Sequence, residues 1–189
     1  MTTLIVIGVI VVVLLFVIVS AYNRLVALDQ SANQSFADID VQLKQRQDLI
    51  PNLVDTVKGY ATHEKSTLDA VIQARNAATS ANSVNDKVQA ENMLSGALGK
   101  LFALSEAYPD LKANTNFLQL QADLSDIENK LAAARRFFNN AVSEFNAVRR
   151  QFPTVLFAGL VGFGSDKPFF DVGESERTTM NAAPPKVSF

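Results

Sequence analysis

His63-Glu64 is the first place in this chain to look for chemistry. A zinc-hydrolase helix carries a second histidine four residues after the first, so that both imidazoles leave one face. Here Ser66 and Thr67 follow, and His63 is the sole histidine. There is no cysteine, so disulfides, thiolate metal sites and cysteine nucleophiles are excluded. Asp38 and Asp40 stand two apart and face different directions on a helix, which argues against a working carboxylate pair. No glycine-rich phosphate loop, serine elbow or histidine-based triad is present. The sequence therefore predicts no catalytic residue, no metal site, no cofactor and no enzyme.

Three charged residues fall on apolar stripes instead. Arg46 continues the spacing of Ile39, Leu43 and Ile50; Glu128 and Arg135 sit beside Leu124, Leu131 and Phe138. An isolated buried charge is costly, so such groups pair or lie at a rim. Arg46, Glu128 and Arg135 thus form a candidate buried polar network. It reads either as a socket for a partner or as a structural ion pair that fixes helix register. Net charge is −2, from 17 basic and 19 acidic residues, which leaves no electrostatic footprint for nucleic acid.

The elements that must position these residues begin with a greasy run. From Leu4 to Val19 the chain is almost purely aliphatic, and no charge precedes Arg24. Residues 2–22 make a helix of roughly 30 Å, close to the hydrocarbon thickness of a bilayer. The membrane-anchor residues are Leu4, Ile5, Val12, Leu15, Phe16 and Val19, with Tyr22 as an interfacial aromatic. A cleaved signal peptide is the rival, on Val19-Ser20-Ala21. The lack of a basic start and the length of the run favour an anchor. Basic residues (Arg24, Lys44, Arg46, Lys58) follow the span and none precedes it, which puts the following domain in the cytoplasm.

After residue 22 apolar residues recur in steps of three and four, the mark of amphipathic helices. The first stripe runs through Leu25, Ala32, Ile39, Leu53, Tyr60 and Val71 to about Arg75, an arm of roughly 80 Å if unbroken. Pro51 predicts a kink near Leu49-Ile50, or two helices in sequence. A polar turn follows over residues 79–85, and Ser83 with Asp86 marks a helix start. The second helix carries Val88, Leu94, Leu98 and Leu101; Gly96 and Gly99 weaken it unless they permit close helix contact. Tyr108-Pro109 ends it, and a third helix opens near Pro109 or Asp110 and runs to Phe152-Pro153. The expected fold is all-α: a single transmembrane helix (1–22), then an antiparallel bundle of three to four long helices (23–152).

Residues 152–163 are apolar but too short to span a bilayer. They cap the bundle core, join subunits, or dip into the membrane surface. Residues 153–170 together form an apolar capping or interface segment. The candidate oligomer interface is Leu156, Phe157, Leu160, Phe163, Phe169 and Phe170. Residues 171–189 are polar and proline-bearing and read as a mobile tail.

Several blocks are shared with one bacterial family. They are Tyr22-Asn23-Arg24-Leu25-Val26, Asp38-Ile39-Asp40-Val41-Gln42-Leu43, Arg46 through Val54 with Val57-Lys58-Gly59-Tyr60, Tyr108 through Asn114, Arg135-Arg136-Phe137-Phe138-Asn139 and Phe152-Pro153. On these the chain resembles the LemA family over roughly residues 1–170, with the tail outside the pattern and Phe138 where tyrosine is expected. The resemblance implies a short external N-terminus, one span and a cytoplasmic antiparallel helical domain in the bacterial inner membrane. It brings no catalytic residue. A related branch is associated with shaping internal bacterial membranes, and family members tend to accompany membrane proteins carrying a TPM domain.

Two functions are therefore expected to compete. The first is a structural protein that self-associates as a homo-oligomer and organises or remodels the lipid bilayer. The second is an adaptor that presents a helical surface, around residues 48–58, to another membrane protein of the TPM-domain type.

Overall fold

The computed structural model describes residues 1–170, and the tail 171–189 lies outside them. Five helices follow one another among these residues: α1 (Thr2–Lys58), α2 (Lys65–Ser80), α3 (Val84–Ser105), α4 (Pro109–Lys112) and α5 (Thr115–Arg150). A 3-10 turn, Thr154–Leu156, comes after α5. The all-α class holds, and among the described residues there is no strand.

Helix α1 does not break at Pro51; it runs through it to Lys58. A proline inside a helix removes one N–H and leaves the carbonyl four residues back without its helical donor. That carbonyl belongs to Gln47, and the Arg75 guanidinium of α2 donates to it through Nε at 2.9 Å. The neighbours Ile50, Leu53, Val54 and Val57 are all buried, so packing offsets the local cost. The break comes later, at residues 59–64, where Tyr60 and Ala61 N–H both donate to the Val57 carbonyl. The stripe expected to continue to Arg75 is thus two helices, divided at Gly59.

The start of α3 follows the sequence signal. Ser83 Oγ accepts from the Asp86 N–H at 3.1 Å. The third long helix begins later than expected. Pro109 opens only the single turn α4, and α5 starts at Thr115, where Asn114 Oδ1 accepts from the Phe117 N–H at 3.0 Å. Asn114 Nδ2 donates to the Tyr60 hydroxyl at 2.9 Å, so one side chain starts α5 and ties down the turn after α1.

The chain divides into two compact units, and α1 and α5 contribute to both. One unit contains residues 42–130. Its core is built from Ile50, Leu53, Val57, Leu68, Val71, Leu94, Leu98, Leu101, Leu111, Phe117 and Leu124. From Arg46 to Tyr60 α1 advances while its partners in α5 and its cap fall back from Glu128 to Asn114, which fixes an antiparallel register. The other unit contains residues 1–41 and 131–169. Its core includes Leu25, Phe145, Val148 and Ala158, with Leu28 and Phe163 packed against it. Phe138 is buried there with its ring 5.4 Å from that of Phe36, a purely apolar contact.

Candidate functional site

Within the unit of residues 42–130 a polar cluster sits at the level of Arg46. Buried residues of α1 recur every seven positions, at Leu25, Ala32, Ile39, Arg46 and Leu53, so Arg46 occupies a place that the pattern gives to an apolar side chain. It is 5% exposed. Its Nη1 donates to Glu91 Oε2 of α3 at 2.9 Å, and Glu91 is 2% exposed. Its Nη2 donates to Ser95 Oγ at 2.9 Å and lies 3.2 Å from Glu128 Oε2. Gln47 Nε2 donates to the other Glu91 oxygen at 3.2 Å, while the Thr79 hydroxyl approaches Gln47 Oε1 at 3.4 Å. Arg46 thereby ties α1 to both α3 and α5 through charge-assisted bonds. The cluster's donors and acceptors are turned towards each other, which suits a register key rather than a socket for a ligand.

Arg46 and Glu128 thus come together, with Glu91 as the main partner. Arg135 lies in the other unit, on the buried stripe between Leu131 and Phe138. Glu91 is the residue that sequence reasoning missed. Its signal was present: Glu91, Leu94, Leu98 and Leu101 share one spacing, so Glu91 lies on the apolar stripe of α3. Gly96 and Gly99 do not serve close packing inside the chain, because a Cβ at either would meet nothing within 4 Å.

Within the unit of residues 1–41 and 131–169, the first turns of α1 are bare. No residue from Met1 to Ser20 is buried, and the first buried side chain is Leu25. This part of α1 is long and apolar enough to cross a membrane. Leu4, Ile5, Val12, Leu15, Phe16, Val19 and Tyr22 are all exposed. The segment after α5 folds back beside it. Phe163 packs its ring 5.8 Å from Phe145 and 6.5 Å from Tyr22. The Asn146 side chain holds both backbone groups of Lys167, donating to its carbonyl at 3.0 Å and accepting from its N–H at 2.9 Å. Lys167 Nζ reaches Asp29 at 2.8 Å and lies 5.3 Å over the Phe145 ring. Asp166 pairs with Arg149 and Arg150.

Of the six side chains expected at an oligomer interface, Leu156, Leu160 and Phe169 are exposed. Phe157 and Phe163 are half-buried. Phe170 is buried and so is not offered at a surface.

A profile of the LemA family matches residues 35–189. The chain belongs to the LemA family. The match begins after the apolar run and includes the tail, so its bounds differ from the blocks that suggested it. This LemA-family chain is 26% identical over 133 residues to "Protein LemA" of Metamycoplasma hominis, covering 70% of the chain and 61% of that relative. It is 21% identical to "Magnetosome protein MamQ" of Magnetospirillum gryphiswaldense, covering 75% of the chain and 62% of that relative. "Magnetosome protein MamQ 1" of Paramagnetospirillum magneticum is 22% identical, with the same shares covered. The chain spans about three-fifths of the length of these curated relatives.

Proposed function

We propose that this LemA-family chain is a non-catalytic structural protein of the bacterial inner membrane, anchored by residues 1–22 with the helical domain in the cytoplasm. It self-associates and thereby organises or remodels the bilayer. The observation that carries the reading is the bare apolar run. A core helix of this composition would be covered by the chain's own side chains, but here every residue from 1 to 20 is exposed. Hydrocarbon is the solvent that such a surface fits. Likeness to proteins named as magnetosome proteins supports the same structural, membrane-associated setting. The cluster around Arg46 supports a structural role, because its charges are spent on each other.

The second reading is an adaptor that presents the block 48–58 to another membrane protein. Ile50, Leu53, Val54 and Val57 of that block are turned into the core, and Asp48, Pro51, Asn52, Asp55 and Lys58 stay outside. The test is alkaline extraction of membranes containing the full chain, followed by sizing in mild detergent. Retention in the membrane with its N-terminus intact, and a multimer, are expected. A soluble product beginning at Tyr22 would overturn the anchor. A strict monomer, or stoichiometric co-purification with one TPM-type membrane protein, would overturn self-association as the working principle. Since the chain has no cysteine, Ser66→Cys on the exposed face of α2 reports orientation: an impermeant thiol reagent added outside should leave it unlabelled.

A further inference from the structure

The segment after α5 has two unlike sides. Its inner side is fixed by Ala158, Phe163 and the Asn146 clamp on Lys167. Its outer side carries Phe152, Val155, Leu156, Leu160 and Val161, of which Phe152 is 79%, Leu156 69% and Leu160 88% exposed. No charged residue occurs between Arg150 and Asp166. Other large apolar side chains exposed beyond the anchor, such as Val41, Ile72, Met93, Leu118 and Phe137, are scattered along the sequence. Single exposures need no explanation, but a contiguous patch does.

The patch has a definite address. Phe152, Pro153 and Thr154 line one crevice with Phe16, Val17 and Ser20, the last turns of the apolar run. From Phe16 to Tyr22 is about 9 Å of helix axis, comparable with the depth over which a bilayer passes from acyl chain to headgroup. An apolar loop held against that stretch of a spanning helix lies at the same depth. Arg24 lines the same crevice, and its exposed guanidinium lies 3.9 Å from the Glu144 carboxylate.

We propose that residues 152–161 form a second lipid contact, an interfacial wedge whose Phe152, Leu156 and Leu160 enter the headgroup–acyl boundary of the leaflet from which α1 emerges. This rests on the reading that α1 spans the bilayer and deepens it. A spanning helix fills both leaflets alike, whereas the wedge adds volume to one only. That asymmetry gives each copy a preference for curved membrane, and self-association concentrates it.

The test uses full-length protein in vesicles of phosphatidylcholine and phosphatidylglycerol. Single cysteines are introduced as Leu156→Cys, Leu160→Cys, Val12→Cys and Met93→Cys, each labelled with bimane. Lipid carrying a doxyl group near the headgroup should quench the label at 156 and 160 several-fold more than at 93, and at every protein-to-lipid ratio. Quenching at 156 and 160 by aqueous iodide but not by doxyl lipid would overturn the wedge. So would protection from both quenchers that disappears when the protein is diluted in lipid, since a second copy would then cover the patch. Val12 separates the two failures. If Val12 is quenched by lipid doxylated deep in the acyl chain while 156 and 160 stay in water, only the wedge falls. If Val12 is also in water, the anchor falls with it.

Discussion

The two units of this chain each bury charge, but they differ in how much grease they leave uncovered. The unit of residues 42–130 pairs its buried charges: Arg46 and Glu91 are both buried and bonded to each other. The unit holding the apolar run also buries a charge, Arg135, but ties its last segment through Asp166, Lys167 and Asn146 and leaves grease outside on α1 and on the loop at 152–161. The first arrangement specifies which helices meet. The second holds an apolar surface open at a cost that water would not repay. A chain that folds both ways has one part built for its own register and another built to be covered by something else.

The sharpest way to break this comparison is to remove the inward charge pairing. Glu91→Ala leaves the buried Arg46 with only the half-exposed Glu128 carboxylate, and it should cost about 3–5 kcal/mol in denaturant unfolding followed by helical circular dichroism. Replacing both partners, Arg46→Met with Glu91→Leu, should restore most of that stability while loosening the register. If Glu91→Ala were silent, the cluster would not be the key of this unit.

A smaller effect is expected at the flank. Asn146→Ala removes both bonds to the Lys167 backbone and should cost about 1–3 kcal/mol. Hydrogen exchange is the better probe. The Phe163 amide, bonded to the Ala158 carbonyl at 2.8 Å, should exchange faster, while amides of α3 stay unchanged. Equal acceleration in both units would show that the loop is not an independent feature.

Periodicity alone makes much of this fold legible. The apolar run, the Ser83 start, the stripe of α5 and the presence of Arg46 on a buried face all follow from spacing. Most of the misses share a cause, a bond between residues far apart in sequence; the start of α5 is the exception, set by a local cap. Pro51 reads as a break, yet Arg75 supplies the Gln47 carbonyl with a donor from another helix. Tyr60 reads as one more member of a stripe, yet its hydroxyl is held by Asn114 in the turn after α1. Pro109 reads as the start of a long helix, yet Asn114 is the residue that caps α5. Glu91 was visible by spacing, but a lone acid on a stripe gains meaning only when its arginine is found. The loop at 152–161 was legible as apolar, and its orientation was not, since the inner side is chosen by Asn146 and Lys167.

The proline explanation can be tested as a coupling. Arg75→Met should lose about 0.5–1.5 kcal/mol when Pro51 is present. In a Pro51→Ala background the restored N–H bonds the Gln47 carbonyl, so the same change should cost measurably less. Additive losses would mean that Arg75 packs its stem against α1 and that its bond to the Gln47 carbonyl contributes little.

The smallest expected effect concerns α3. A Cβ at Gly96 meets open space, so Gly96→Ala should stabilise the helix by about 0.5–1 kcal/mol, through better helix propensity and a less flexible unfolded chain. Measured on the monomer in detergent, that gain is expected whatever the assembly. Measured on the multimer, it separates two uses of the glycine. If assembly is unchanged, the contacts between copies lie elsewhere, and the apolar flank of the anchor stays the better surface. If assembly weakens while the monomer gains stability, a neighbouring copy approaches α3 at Gly96, and the unit of residues 42–130 would also be one that meets another chain.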